Sequence, residues 1–206
     1  MQTVIVDASE DSGRELATEL LRSGSLVAFP TDTVYGLAAY PWEEAAVERL
    51  YQVKQRPKEL PIPLLLSDSA EVERVAMLPA RCRALSERFW PGGLTLVLEK
   101  KASVSRSITD RPTVAVRVPN LPLARDIIRR VGGVLAVTSA NISGAASPVT
   151  AREVREQLGG RIALIVDGGS CPAGVPSTVL DCSVWPPVVL RSGVVGEDEL
   201  HAVALQ

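Results

Sequence analysis

Two pairs of strand-like runs follow one another with no helical stretch between them, and that order constrains the fold more than any other feature. "LTLVLEK" (94–100) leads to "TVAVRVP" (113–119), and "STVLDCS" (177–183) leads to "PPVVLRSG" (186–193). Elsewhere short apolar runs alternate with helical periodicity. A strand at Thr3–Val6 precedes the amphipathic "SGRELATELLRSG", and the buried run Ser25–Phe29 precedes "PWEEAAVERLYQVK", whose acids open the helix and whose Lys54 closes it. Pro63–Leu66 reads as a strand and "RCRALSERFW" as a helix. "LPLARDIIRRVGG" is a helix before the strand "VLAVTSA", and "TAREVREQLGG", capped by Thr150, is a helix before "RIALIVDGG"; "GEDELHAVAL" makes a terminal helix. The order points to an α/β fold with a strand-rich mixed sheet, and away from a doubly wound sheet with strict β-α-β alternation.

At 206 residues and 22.0 kDa the chain suits one domain that buries a full core without disulfides or a structural metal. Hydrophobic residues make up 46%, yet no apolar run approaches the roughly 18 residues of a membrane span. No basic flank followed by an apolar stretch marks the N-terminus as a signal peptide. Cys82, Cys171 and Cys182 are odd in number and widely spaced, which suits reduced cysteines of a cytoplasmic protein. A net charge of -2 and a pI near 5.6 mark no nucleic-acid binder, although a local basic face remains open. The single histidine, His201, lies near the C-terminus, which argues against a Ser-His-Asp triad, a Cys-His pair or a histidine-ligated zinc. Chemistry here has to run on arginine, lysine, hydroxyls, carboxylates, backbone dipoles or the substrate's own groups.

Polar residues gather where the apolar runs end. Thr31, Asp32 and Thr33 follow the run ending at Phe29, either as ordinary turn residues or as a pocket. "VKQRPKELP" (53–61) places Lys54, Arg56 and Lys58 together before prolines that forbid a helix, a composition equally suited to a solvated loop or a polyphosphate clamp. "TSANISGAASP" (138–148) carries Ser139, Asn141, Ser143 and Ser147 around Gly144, and such a turn can hold phosphate oxygens through hydroxyl and N–H groups. Ser177 and Thr178 enter a strand, Arg191 closes one, and Arg117 is a lone cation inside an apolar strand. A buried arginine requires an anion, from the protein or from a ligand.

Taken together and in this order, PTDTVYGL, KQRP, WPGG-T, VAVRVP, SANISG-x-x-SP, PSTVLD and LRSG resemble the YrdC family. The resemblance spans about Ser25 to Gly193 and implies a single YrdC-like domain over 1–206, with a twisted, mostly seven-stranded sheet, a deep basic cleft and no second C-terminal domain. It implies synthesis of L-threonylcarbamoyladenylate and pyrophosphate from L-threonine, bicarbonate and ATP with Mg2+. A downstream complex then transfers the threonylcarbamoyl group to adenosine 37 of tRNA, to which the chain itself makes at most a weak contact. Carried over residue by residue, Thr33, Arg117, Val137 (through its backbone) and Ser177 form the L-threonine site. Lys54 and Arg56 are the catalytic cations and also bind ATP, with Thr113, Ser139, Asn141, Ser147 and Arg191. The segment from Arg56 to Pro63 is the closing loop. Leu60 and Leu65 stand where many relatives carry Lys or Asn and His. Two other readings compete: a module binding double-stranded RNA or tRNA, and a carbamoyl-adenylate-forming domain of the hydrogenase-maturation type. Only 4% aromatic residues weakens the first, and the absence of cysteine-rich zinc modules weakens the second.

Overall fold

The structure is a computed structural model that describes residues 2–204. Strand β1 (Val4–Asp7) leads into helix α1 (Asp11–Arg22), then β2 (Val27–Phe29), β3 (Gly36–Ala39) and α2 (Glu44–Lys54). β4 (Leu64–Leu66) is followed by a 3-10 turn, α3 (Val72–Val75), β5 (Ala76–Met77) and α4 (Ala80–Phe89). β6 (Leu94–Lys100) and β7 (Thr113–Arg117) come in succession, as expected. α5 (Pro122–Val131), β8 (Val134–Ser139), α6 (Ala151–Leu158), β9 (Leu164–Asp167), β10 (Thr178–Asp181), β11 (Val188–Arg191) and α7 (Glu197–Ala204) complete the order.

All eleven strands join one mixed sheet in the order β1-β9-β2-β3-β8-β4-β7-β6-β10-β11, with β5 added to the end of β6. β1, β9 and β2 run parallel, as do the pairs β4–β7 and β6–β10. The directly successive β6–β7 and β10–β11 are antiparallel. The expected class therefore stands, while the sheet has more strands than the expected seven, because runs as short as β5 pair at its margins.

Two strands and one short helix were not legible. β3 is "GLAA", a poor strand former by composition, and it exists because β2 and β8 flank it on both sides. Gly36 is required there, since a Cβ would stand 2.6 Å from Val137 Cγ1. β5 is two residues long and α3 four, too short to show a period. At α6 the Thr150 hydroxyl accepts from the Glu153 N–H (3.3 Å), while Glu153 accepts from the Val149 N–H (2.6 Å), so the expected cap forms in both directions.

Alternation sorts the strand residues onto two faces. On one face Leu64, Leu66, Leu96, Val114, Val116 and Ala136 pack against the buried sides of α2, α4 and α6. On the other, Val27, Phe29, Leu135 and Leu164 lie beneath Leu21 of α1 and Ile127 and Ile128 of α5. Past β8 that second face carries an open cleft.

Candidate active site

The cleft encloses about 330 Å3. Its floor is made by alternate residues of neighbouring strands: Thr113, Ala115 and Arg117 on β7, Thr95 and Val97 on β6, Val137 and Ser139 on β8. The loop after β2 supplies Thr31 and Thr33, the loop after α2 supplies Arg56, and Ser177 and Arg191 come from the start of β10 and the end of β11. Of the residues assigned from sequence, all but Lys54 and Asn141 line this one space.

At one end Arg117 is almost fully buried and holds three partners. Its Nη2 donates to Asp32 Oδ1 at 2.6 Å, its Nη1 to Thr33 Oγ1 at 2.9 Å and its Nε to the Gly92 carbonyl at 2.8 Å. Asp32 also accepts from the Asn120 N–H at 3.0 Å. The anion that a buried arginine requires is thus Asp32, a residue noted between Thr31 and Thr33 and not assigned to the site. Burial pushes the Arg117 guanidinium below its ordinary value, and Asp32 pulls it back up. Two of its five N–H donors remain uncommitted. Beside it the hydroxyls of Ser177 and Thr95 meet at 2.8 Å. Val137 donates its N–H to Pro63 (2.9 Å), and proline has no N–H to return, so the Val137 carbonyl receives no bond from that rung.

The other cations of the cleft have no carboxylate partner among the described residues, and of these Arg191 lies by Ser177, within electrostatic reach of both Arg56 and Arg117. Arg56 donates to the carbonyls of Leu60 and Pro61 (3.0 and 2.9 Å), Arg111 to that of Glu59 (3.2 Å), and Arg191 to the Ser177 carbonyl (2.8 Å) and hydroxyl (3.2 Å). Burial lowers the pKa of Arg56 and Arg191, and the charge of Arg191 further disfavours that of Arg56. Gln55, left-handed at φ 53°, ends α2 and turns the chain so that Arg56 leaves the helix axis. Lys58 turns away and pairs with Glu48.

Lys54 and Asn141 depart from their expected roles. Lys54 is 1% exposed, and its ammonium donates to the carbonyl of Ser139, to the carbonyl of Asn141 (2.6 Å) and to Asn141 Oδ1 (3.1 Å). With all three protons committed, it braces the Ser139–Asn141 turn from beneath and does not line the cleft. The Asn141 amide closes the same turn onto the carbonyls of Ile142 and Ala145 (2.9 and 2.7 Å). Burial, reinforced by Arg56, pushes Lys54 down to about 7. Sequence reasoning gave Thr31 and Asp32 no role beyond a possible pocket, and it missed Thr95 and Arg111. Thr95 was visible as the threonine of WPGG-T, whereas nothing near Arg111 in sequence marks it.

The Sua5/YciO/YrdC family, described as telomere recombination, matches residues 19–193. The chain belongs to this family. A threonylcarbamoyl-AMP synthase of Pyrococcus abyssi is 44% identical over 190 residues, 91% of this chain and 56% of that protein. The crystal structure of P. abyssi Sua5 complexed with L-threonine superposes with a TM-score of 0.95 at 42% identity, covering 98% of this chain and 61% of that one. Escherichia coli YciO superposes at 0.83 with 26% identity, covering 95% and 97%. The chain thus spans little more than half the length of the P. abyssi protein, and the Sua5/YciO/YrdC match includes every residue that lines the cleft.

Proposed function

We propose that this Sua5/YciO/YrdC domain seats L-threonine and ATP side by side and joins them, with bicarbonate, into L-threonylcarbamoyladenylate. The observation that carries the reading is the division of charge within one cleft, between one arginine paired with a carboxylate and three that have none among the described residues. Arg117 is neutralised by Asp32, so that end suits a zwitterion, whose carboxylate can meet the two free guanidinium N–H groups and whose ammonium can meet the Val137 carbonyl. Arg56, Arg111 and Arg191 carry no counter-charge and suit a polyphosphate. Thr113, Ser139 and Ser147 lie along the cleft where the nucleoside would extend. Similarity to a synthase from P. abyssi, and to a Sua5 structure complexed with L-threonine, supports L-threonine as a substrate.

The threonine amine takes up bicarbonate as a carbamate with loss of water. A carbamate oxygen attacks the α-phosphorus of ATP, and the bond to the β,γ-diphosphate breaks to release pyrophosphate. The nucleophile belongs to the substrate, so the protein's tasks are alignment and charge neutralisation. This is consistent with a cleft without histidine. Among the described residues no three His, Cys, Asp or Glu side chains converge to hold a metal ion, so the cleft has no ligand set of its own for Mg2+. We take Mg2+ to arrive on the triphosphate, where it supplies charge neutralisation. The product is a water-labile mixed anhydride, which calls for prompt transfer by a partner complex to tRNA. That use places the domain in the cytoplasm; no helix among the described residues is long and apolar enough to cross a membrane.

Pyrophosphate release should require ATP, Mg2+, L-threonine and bicarbonate together. Equal turnover with threonine omitted would sink the reading.

A further inference from the structure

The hydroxyl of Thr33 is fixed in direction by its neighbours. The Thr31 hydroxyl lies 2.7 Å from the carbonyl oxygen of Val34, and a carbonyl can only accept. The single proton of Thr31 therefore points to Val34. In its 3.0 Å contact with Thr33 Oγ1, Thr31 has only lone pairs left, so Thr33 must be the donor. The N–H groups of Thr33 and Val34, at 3.2 and 3.3 Å, are longer contacts that share one lone pair of the same Thr31 oxygen and leave the other to the Thr33 proton. On its other side Thr33 accepts from Arg117 Nη1. A hydroxyl has one proton and two lone pairs. With its proton on Thr31 and one lone pair on Arg117, Thr33 has one lone pair to offer the cleft and no proton.

We propose that Thr31 is a positioning residue that makes Thr33 an acceptor only, so that the substrate group seated against Thr33 must be a donor. The proposal rests on the amino-acid reading of this end of the cleft. Of the groups on L-threonine, the ammonium and the hydroxyl qualify, and the carboxylate does not. A carboxylate oxygen at Thr33 would meet a lone pair, while the two free N–H groups of Arg117 stand beside it. The relay Thr33–Thr31–Val34 thereby orients the amino acid, carboxylate to Arg117 and donor to Thr33. It uses a residue that itself makes no direct use of its proton in the cleft. Were Thr31 unable to accept, the Thr33 proton would be free to rotate toward the ligand, and the site would lose its preference between the two ends of a zwitterion.

Neutron diffraction from crystals of the deuterated, ligand-free protein locates both hydroxyl deuterons. The Thr33 deuteron is expected on the line to Thr31 and the Thr31 deuteron on the line to the Val34 carbonyl. A Thr33 deuteron directed into the cleft overturns the proposal. In parallel, calorimetric titration of Thr31→Val should show L-threonine affinity reduced about five- to tenfold, the loss of one neutral hydrogen bond, with ATP affinity unchanged. Thr31→Ser, which keeps the hydroxyl, should stay within about twofold of wild type. Equal losses for threonine and ATP, or no rescue by serine, would make Thr31 a purely structural turn residue and overturn the proposal. Should Thr31→Val fail to fold, the neutron map and the serine variant decide. If wild type binds no L-threonine and the map shows the relay, the amino-acid reading falls while the acceptor-only Thr33 stands for whatever donor the cleft takes.

Discussion

Along β8 a single face of the sheet changes character within three alternate residues. Leu135 is sealed beneath α5, Val137 touches both that core and the cleft, and Ser139 belongs to the cleft. On the β1–β9–β2–β3 side, α1 and α5 exclude water from Phe29, Leu164 and Val166. On the β4–β7–β6–β10 side, corresponding positions hold Thr113, Arg117, Thr95 and Ser177, with small Ala115 between them. The sheet beneath is continuous, and its far face is largely apolar, with Thr178 a buried exception whose hydroxyl donates to the Val195 carbonyl. Removing a covering helix from half of one face is therefore enough to turn core positions into a site, because the far face and the closed half continue to stabilise the sheet. Freed from packing, the open half can carry polar groups, provided each finds a partner.

The largest effect expected on that comparison comes from its most deeply buried partner. Arg117→Ala strands Asp32 with one N–H donor, and breaking a buried pair in this way costs about 3–5 kcal/mol. Thermal melts should show this together with loss of threonine binding; an unchanged melt would mean that Asp32 is already well solvated and that the open half needs no such pairing. Next, Ile128→Ala on α5 should cost about 2–5 kcal/mol as a core truncation. The matching change on the open half, Ala115→Leu, should alter stability by less than about 1.5 kcal/mol while blocking ligand binding. Denaturant unfolding and titration of both variants test this, and equal destabilisation would erase the distinction between the halves. Arg56→Ala leaves no acid unpaired, so its melt should be near wild type, and ATP affinity should fall about ten- to 150-fold with threonine affinity kept. Loss of threonine affinity instead would merge the two ends of the cleft.

Much of this layout was legible in the sequence because a strand that ends in hydroxyls or charge announces itself locally. Ser139 and Arg191 end strands, Ser177 precedes one, and Thr33 lies in the short loop after another, while the period-2 alternation of "TVAVR" sets Thr113 and Arg117 on one side. Which group each side chain meets was not legible. Asp32 and Arg117 are separated by most of β3 through β7 in the chain, and their pairing depends on how those strands are ordered. Lys54 was misplaced for the same reason: a lysine at a helix end next to Arg56 looks solvent-facing until the Ser139–Asn141 turn is folded over it. β3 was invisible because "GLAA" becomes a strand only through its neighbours.

The remaining effect concerns that lysine and depends on pH. Lys54 ionises in the unfolded chain near 10.5 and in the folded protein near 7. Between those values the unfolded state holds the extra proton, so folding is favoured increasingly as pH rises through the window. The neutral amine keeps only two N–H groups for three oxygens, and the lost bond offsets part of that gain. Wild type measured against Lys54→Met should gain stability from pH 7 toward pH 10; a difference that falls over this range would mean that the three oxygens hold the ammonium charged.

Arg56 closes its own loop. The two carbonyls it grips, those of Leu60 and Pro61, belong to the segment that follows it, and Tyr51 donates to the same Leu60 oxygen at 3.1 Å. Those two bonds use Nε and one Nη2 proton, so three of the five guanidinium N–H groups stay available while the carbonyls are held. The guanidinium is pinned by one edge to its own loop and keeps the other edge for an anion. Its direction is set before any ligand arrives, so a phosphate captured there leaves the loop fastened and forfeits little side-chain freedom.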